Sequence, residues 1–193
     1  MKRSKPFMVV MGIAFALASA GRGSAQQPAP ATPTAASEVD REVTSIEKLV
    51  LDAAEAMPEE KYNFSPESLK LAGSDYKGVR TFATELKHIA ASNYFIWTGV
   101  TGDKVPDGLQ SNGSDTMKSK AEIIQFVRES FALGHRAAGT LTAGNIVEPI
   151  RNGKTTRLYL ATFGVAHAYD HYGQMIEYLR MNGITPPASR PKS

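Results

Sequence analysis

HAYDHYGQMIEYLRMNGITPP, running from His167 to Pro187, decides the reading of this 193-residue chain. It sets His167 and His171 four residues apart, which on a helix places both imidazoles on one face, one turn from each other. Two neutral imidazoles so spaced can grip one divalent transition metal. The helix that carries them also announces its end. Asn182-Gly183 reads as a left-handed C-terminal cap, and Pro186-Pro187 lies just beyond it. Upstream, Leu160, Gly164, His167, His171, Gln174 and Tyr178 recur at spacings of three and four, flanked by Ala168, Met175 and Leu179. The histidines therefore face into or beside a core.

A buried imidazole is costly unless paired, and two protonated ones a turn apart repel each other. A shared cation answers both problems, but it needs at least one further protein ligand, which helical bundles draw from a facing helix. The chain has four histidines, His88, His135, His167 and His171. His88 lies mid-helix beside an apolar stripe and is the candidate third ligand. His135, next to Arg136, reads as a surface residue. Asp170 and Glu177 point away from the histidine stripe and read as solvated, while Tyr178 fits equally as a neighbour of the centre or as core. Glu85, one turn before His88, is placed to orient an imidazole, and Gln174 to hydrogen-bond nearby. Three histidines plus water would be an open site of the catalytic rather than the structural kind. No residue stands out as a general base, so the catalytic residues are left unassigned.

Four segments carry helical periodicity. The first spans about 38–57, capped by Ser37 with Asp40, its apolar face at Val43, Ile46, Val50 and Ala54, and ended by Pro58. The second spans about 79–98, with Phe82, Leu86, Ile89, Asn93 and Ile96 in one stripe. The third starts at Ser119, where Ser119-Lys120-Ala121-Glu122 fits the reciprocal capping pattern, and runs to about Thr140. The fourth spans about 156–182. Between the first two, residues 58–78 carry Tyr62, Phe64, Leu69 and Leu71, expected to drape over the bundle. Ahead of the last helix, a small hairpin of 146–150 with 155–159 around Asn152-Gly153 competes with loop plus early helix, and the latter is preferred. The expected fold is all-α, an antiparallel four-helix bundle over residues 38–187, followed by a short tail at 188–193.

The N-terminus reads as an export signal: basic Lys2, Arg3 and Lys5, then an apolar stretch from Pro6 to Ala20, with cleavage expected after Ala25. Residues 26–37 (QQPAPATPTAAS) read as a flexible linker. The expected location is periplasmic or secreted, with no stable membrane insertion after cleavage. Residues 1–25 hold four of the 22 basic residues and none of the 19 acidic ones, so 18 basic residues face 19 acidic ones in the remainder. The basic balance thus belongs to the signal and argues against nucleic-acid binding. The chain has no cysteine, which excludes disulfides, thiolate ligands and a cysteine nucleophile. Any metal site must use histidine, carboxylate or water.

These features together resemble the DinB-like family, also described as DinB/YfiT-type bundles. The resemblance lies in His167–Pro187, in Pro58–Pro66 (PEEKYNFSP) after the first helix, and in Phe82–Ala90 (FATELKHIA) with its single histidine. It implies a four-helix bundle in which His88, His167 and His171 hold a divalent metal ion, commonly zinc, nickel or iron, with water on the open side and no ligand from the third helix. Some relatives are thiol-dependent transferases or isomerases that use glutathione, bacillithiol or mycothiol. The export signal departs from that pattern, because such thiols are mainly cytosolic. The expectation is an exported metal-dependent hydrolase or thiol-dependent transferase acting on a small molecule, and a homodimer as the default assembly. The rival expectation is a non-catalytic, stress-associated bundle with a structural or vestigial metal; in a third reading the histidines are core residues without metal.

Overall fold

A computed structural model describes residues 32–191. The expected signal peptide and the first half of the linker, residues 26–31, lie outside the described residues. Four helices carry the fold: α1 (Ala35–Ala56), α2 (Phe82–Thr101), α3 (Lys120–Gly139) and α4 (Arg157–Met181). No described helix is long and apolar enough to cross a membrane.

Local chemistry explains the boundaries. The first helix begins three residues before the expected Glu38. Its cap is Thr34 rather than Ser37, and Ser37 instead completes a reciprocal capping box from the third helical position. Residues 35–37, assigned to the linker, are therefore helical. α2 starts at Phe82 and ends at Thr101, each about three residues later than expected. The Thr81 hydroxyl accepts the Thr84 N–H, and Gly102 closes the helix with a left-handed φ of 86°. α3 begins where its capping box predicts, at Ser119 with Glu122. Thr156 caps α4, and its far end is a Schellman turn: Gly183 N–H reaches Arg180 O and Ile184 N–H reaches Leu179 O, with Gly183 at φ 74°. Ahead of α4 the chain forms both alternatives in miniature. A two-residue antiparallel pair, β1 (Pro149–Ile150) with β2 (Thr155–Thr156), leads directly into the helix.

α1 packs on α3 and α4, and α2 packs on the same two, so consecutive helices α1 and α2 sit diagonally, as do α3 and α4. Polar contacts fix the directions. Lys120, at the start of α3, donates to Glu55 O and Met57 O at the end of α1, and His135 near the end of α3 meets Asp40 near the start of α1. α1 and α3 are antiparallel. Tyr178, late in α4, donates to Arg80 O just before α2, so these two are antiparallel as well. Asn93 pairs with Ser130 and Trp97 packs on Gly134, positions that advance together, so α2 and α3 are parallel. α1 and α4 must then be parallel too. The expectation of a wholly antiparallel bundle is thus corrected to up-down-down-up, with two of the four neighbouring pairs parallel. Long connections make this possible. Residues 102–119 return along α2, whose 20 residues span about 30 Å.

The core lies where the four apolar faces meet, around Ile46, Val50, Phe82, Leu86, Ile89, Trp97, Phe131, Met175 and Leu179. Trp97 fits between helices because glycine stands on both neighbours. A Cβ on Gly164 would come 2.9 Å from its Cζ2, and one on Gly134 3.1 Å from its Nε1. Of the four residues expected to drape from the first connection, two do. Tyr62 is buried and donates to Ala54 O, Phe64 packs edge-on against Tyr178, and Leu69 and Leu71 stay exposed.

Candidate metal centre

His88 on α2 and His167 and His171 on α4 come together halfway along the α2–α4 interface. One ring nitrogen from each lies within 4.8 Å of the others, and His167 Nε2 stands 3.2 Å from His171 Nε2. An ion held tetrahedrally at about 2.1 Å from each nitrogen separates its ligands by roughly 3.4 Å, so small ring rotations suffice. His171 is buried, and His88 and His167 are half-buried.

The atoms behind the rings select the coordinating nitrogens. His88 Nδ1 lies 2.7 Å from Ser111 O. A carbonyl accepts only, so Nδ1 carries the proton and the Nε2 lone pair is free. His171 Nδ1 lies 2.8 Å from Glu85 Oε2, with side chains only 8% and 2% exposed. Gln174 Nε2 sits 3.3 Å from the same Nδ1 and 3.3 Å from Asp170 Oδ2. Both arrangements aim Nε2 at the shared space. Burial pushes the His167 pKa down to about 4, helped by the rings of His171 and His88. Burial also lowers His88, against the opposing pull of Ser111 O. Both rings are therefore neutral at neutral pH, the form that donates a lone pair to a metal.

Glu85 tests whether a cation fits. Its carboxylate is buried, and although Oε2 approaches His171 closely, the contact is oblique to the ring N–H and no described donor is aligned on that oxygen. An uncompensated buried carboxylate is expensive. Positive charge on the far side of the His171 ring would compensate it, in the carboxylate–histidine–metal order typical of metal sites. The donor set suits zinc, nickel and iron alike.

The other expected residues fall elsewhere. His135 lies on the opposite side of the bundle, its Nδ1 2.6 Å from Asp40 Oδ1 and its Nε2 3.0 Å from Glu47 Oε2. It is half-buried rather than on the open surface, and it joins no metal group among the described residues. Asp170 and Glu177 are exposed. Tyr178 serves as core and as a hydrogen bond to Arg80 O. Two features escaped the sequence reading. Ser111 acts through its backbone carbonyl, which leaves no side-chain signature. Phe163, one turn before His167, places its ring 5.7 Å from that imidazole, and the four-residue spacing was there to see.

No curated protein matches this chain. The family model of the DinB superfamily matches residues 43–175, which take in the three histidines of the centre and most of the four helices. With that match covering more than half its length, the chain belongs to the DinB superfamily.

Proposed function

We propose that this is an exported divalent-metal-binding protein whose histidine centre works as a metal-dependent hydrolase on a small molecule. The convergence of His88, His167 and His171 carries the proposal, with two of their Nδ1 atoms occupied from behind by Ser111 O and Glu85. An ion there supplies Lewis acidity, polarising a substrate carbonyl or making a water more acidic. The protein's own groups supply orientation. Ser111 O fixes the ring direction of His88, the Glu85 carboxylate stands beside His171 Nδ1, and burial holds His88 and His167 neutral. Phe163, beside His167, offers an apolar wall at the mouth of the centre. The sequence's export signal favours hydrolysis over thiol transfer, since the usual thiol partners are cytosolic.

One observation favours a second reading, a non-catalytic bundle with a structural metal. Glu85 is the only carboxylate in contact with the three rings among the described residues, and it lies buried behind His171 rather than over the open side. Elemental analysis tests the metal first. The purified protein should carry about one equivalent, lost in the His167→Ala/His171→Ala variant. A metal-free protein whose melting temperature is unmoved by EDTA would sink both readings. Cobalt substitution then separates them: visible bands that shift with hydrolysable substrates or thiols support catalysis, and bands unresponsive to all of them support the structural metal.

A further inference from the structure

Beside the histidines, between the start of α2 and the end of α4, an open pocket of about 700 Å³ is lined by Tyr76, Arg80, Glu85, Asn112, Gln174 and Met181, among others. Its size is that of a small-molecule site. It adjoins the histidine centre through two shared side chains, Glu85 and Gln174, both in contact with His171 Nδ1. Arg80 is its one cation among the described lining residues.

Arg80 is held from two directions. Its Nε donates to Asn112 Oδ1 at 2.9 Å, and its backbone carbonyl accepts from Tyr178 at 3.0 Å. Its two terminal amino groups have no hydrogen-bond or ion-pair partner among the described residues. Two acids also line the pocket and neither pairs with Arg80: Glu85 faces His171 Nδ1 at 2.8 Å, and Glu177 lies 3.9 Å from Arg180. The start of α2 does not supply a competing anion site, because the N–H groups of Phe82, Ala83, Thr84 and Glu85 are taken by Phe64 O, Tyr62 O, Thr81 Oγ1 and Thr81 O. A positioned guanidinium with both outer amino groups free matches the two oxygens of a carboxylate. With a single cation and apolar Pro66, Val79 and Met181 around it, the pocket suits a monoanion with an apolar body better than a phosphate dianion.

We infer that the substrate of the histidine centre is a small organic carboxylate, its carboxylate paired with Arg80 and its body extending toward the histidines. This rests on the metal-dependent reading above. The test is calorimetric titration of the full-length, metal-loaded protein with benzoate and, separately, with inorganic phosphate. Benzoate should bind saturably and more tightly than phosphate. Arg80→Gln should weaken benzoate at least about tenfold, the size of a lost charge-assisted hydrogen bond, and Arg80→Lys should recover part of it, since a point charge lacks the fork. Metal content and melting temperature should be unchanged in both variants. Equal benzoate affinity in Arg80→Gln and the native protein, absence of saturable benzoate binding, or a preference for phosphate would overturn the inference. The two levels separate cleanly: metal content reports on the centre, and the Arg80 dependence of benzoate binding reports on the pocket. Protein without metal that still binds benzoate through Arg80 would keep the pocket and lose the centre.

Discussion

Two sides of this bundle use histidine in opposite ways. Between α1 and α3, His135 has a carboxylate at each ring nitrogen, Asp40 and Glu47, and although partial burial works against charge, these hydrogen bonds raise its pKa. Between α2 and α4, His88 and His167 have mainly other rings and apolar walls for company, and burial lowers both. The residue type is the same and the helices are similar. Neighbouring charge decides whether the ring serves as a cation that ties two helices or as a lone pair that can bind one. Glu85 stands between the cases, a buried carboxylate 2.8 Å from the Nδ1 of only one of the three rings, His171.

The largest effect should come from removing the lone pairs. The His167→Ala/His171→Ala variant should drop from about one metal equivalent to near none, while His135→Gln keeps its full content. Equal metal loss in His135→Gln would erase the contrast. Next is Glu85→Gln, expected to weaken metal affinity about 10–100-fold in competition with a chelator. In the metal-free protein the same change should be neutral or stabilising, because it removes a buried, poorly satisfied charge; a large loss of metal-free stability would show that Glu85 is structural instead.

Gly164→Ala probes packing on the α2–α4 side without touching a ligand. Its Cβ would press on Trp97, and overpacking of this kind costs roughly 1–3 kcal/mol, measurable by denaturant unfolding, with metal content retained. The smallest effect belongs to His135→Gln, roughly 0.5–1 kcal/mol as expected for a partly exposed ion pair. Its sign follows from the raised pKa. The native ring's contribution is fully present below the unfolded-state value near 6.5 and fades as pH rises through the higher folded value. Melting curves at pH 6 and pH 8.5 should therefore show the larger native-minus-variant gap at pH 6. A gap that grew with pH would mean His135 is neutral in the fold.

Some of this was legible early because it depends on short-range chemistry. The Ser119–Glu122 capping box and the Asn182-Gly183 stop are completed by residues within a few positions, and they stand where the pattern puts them. The start of α1 was misplaced for the same reason in reverse: Ser37 and Thr34 are both capping residues, and the sequence offers no rule to prefer the earlier one. The small β1–β2 pair was undervalued because it is two residues long on each side, too short for alternation to show.

By itself, the sequence determined that the chain is all-helical in its core region, which face of α4 carries His167 and His171, and that no cysteine could join them. These follow from spacing and composition, which act along the chain. Only the tertiary structure decided that α2 and α3 run parallel, that residues 102–119 fold back to lay Ser111 O on His88, that Glu85 meets His171 rather than His88, and that Arg80 and Asn112 share a pocket beside them. Each of those contacts joins groups 23 or more residues apart, or uses a backbone carbonyl whose placement no side chain encodes. They depend on where the long connections cross the bundle, and loop closure constrains that path only weakly.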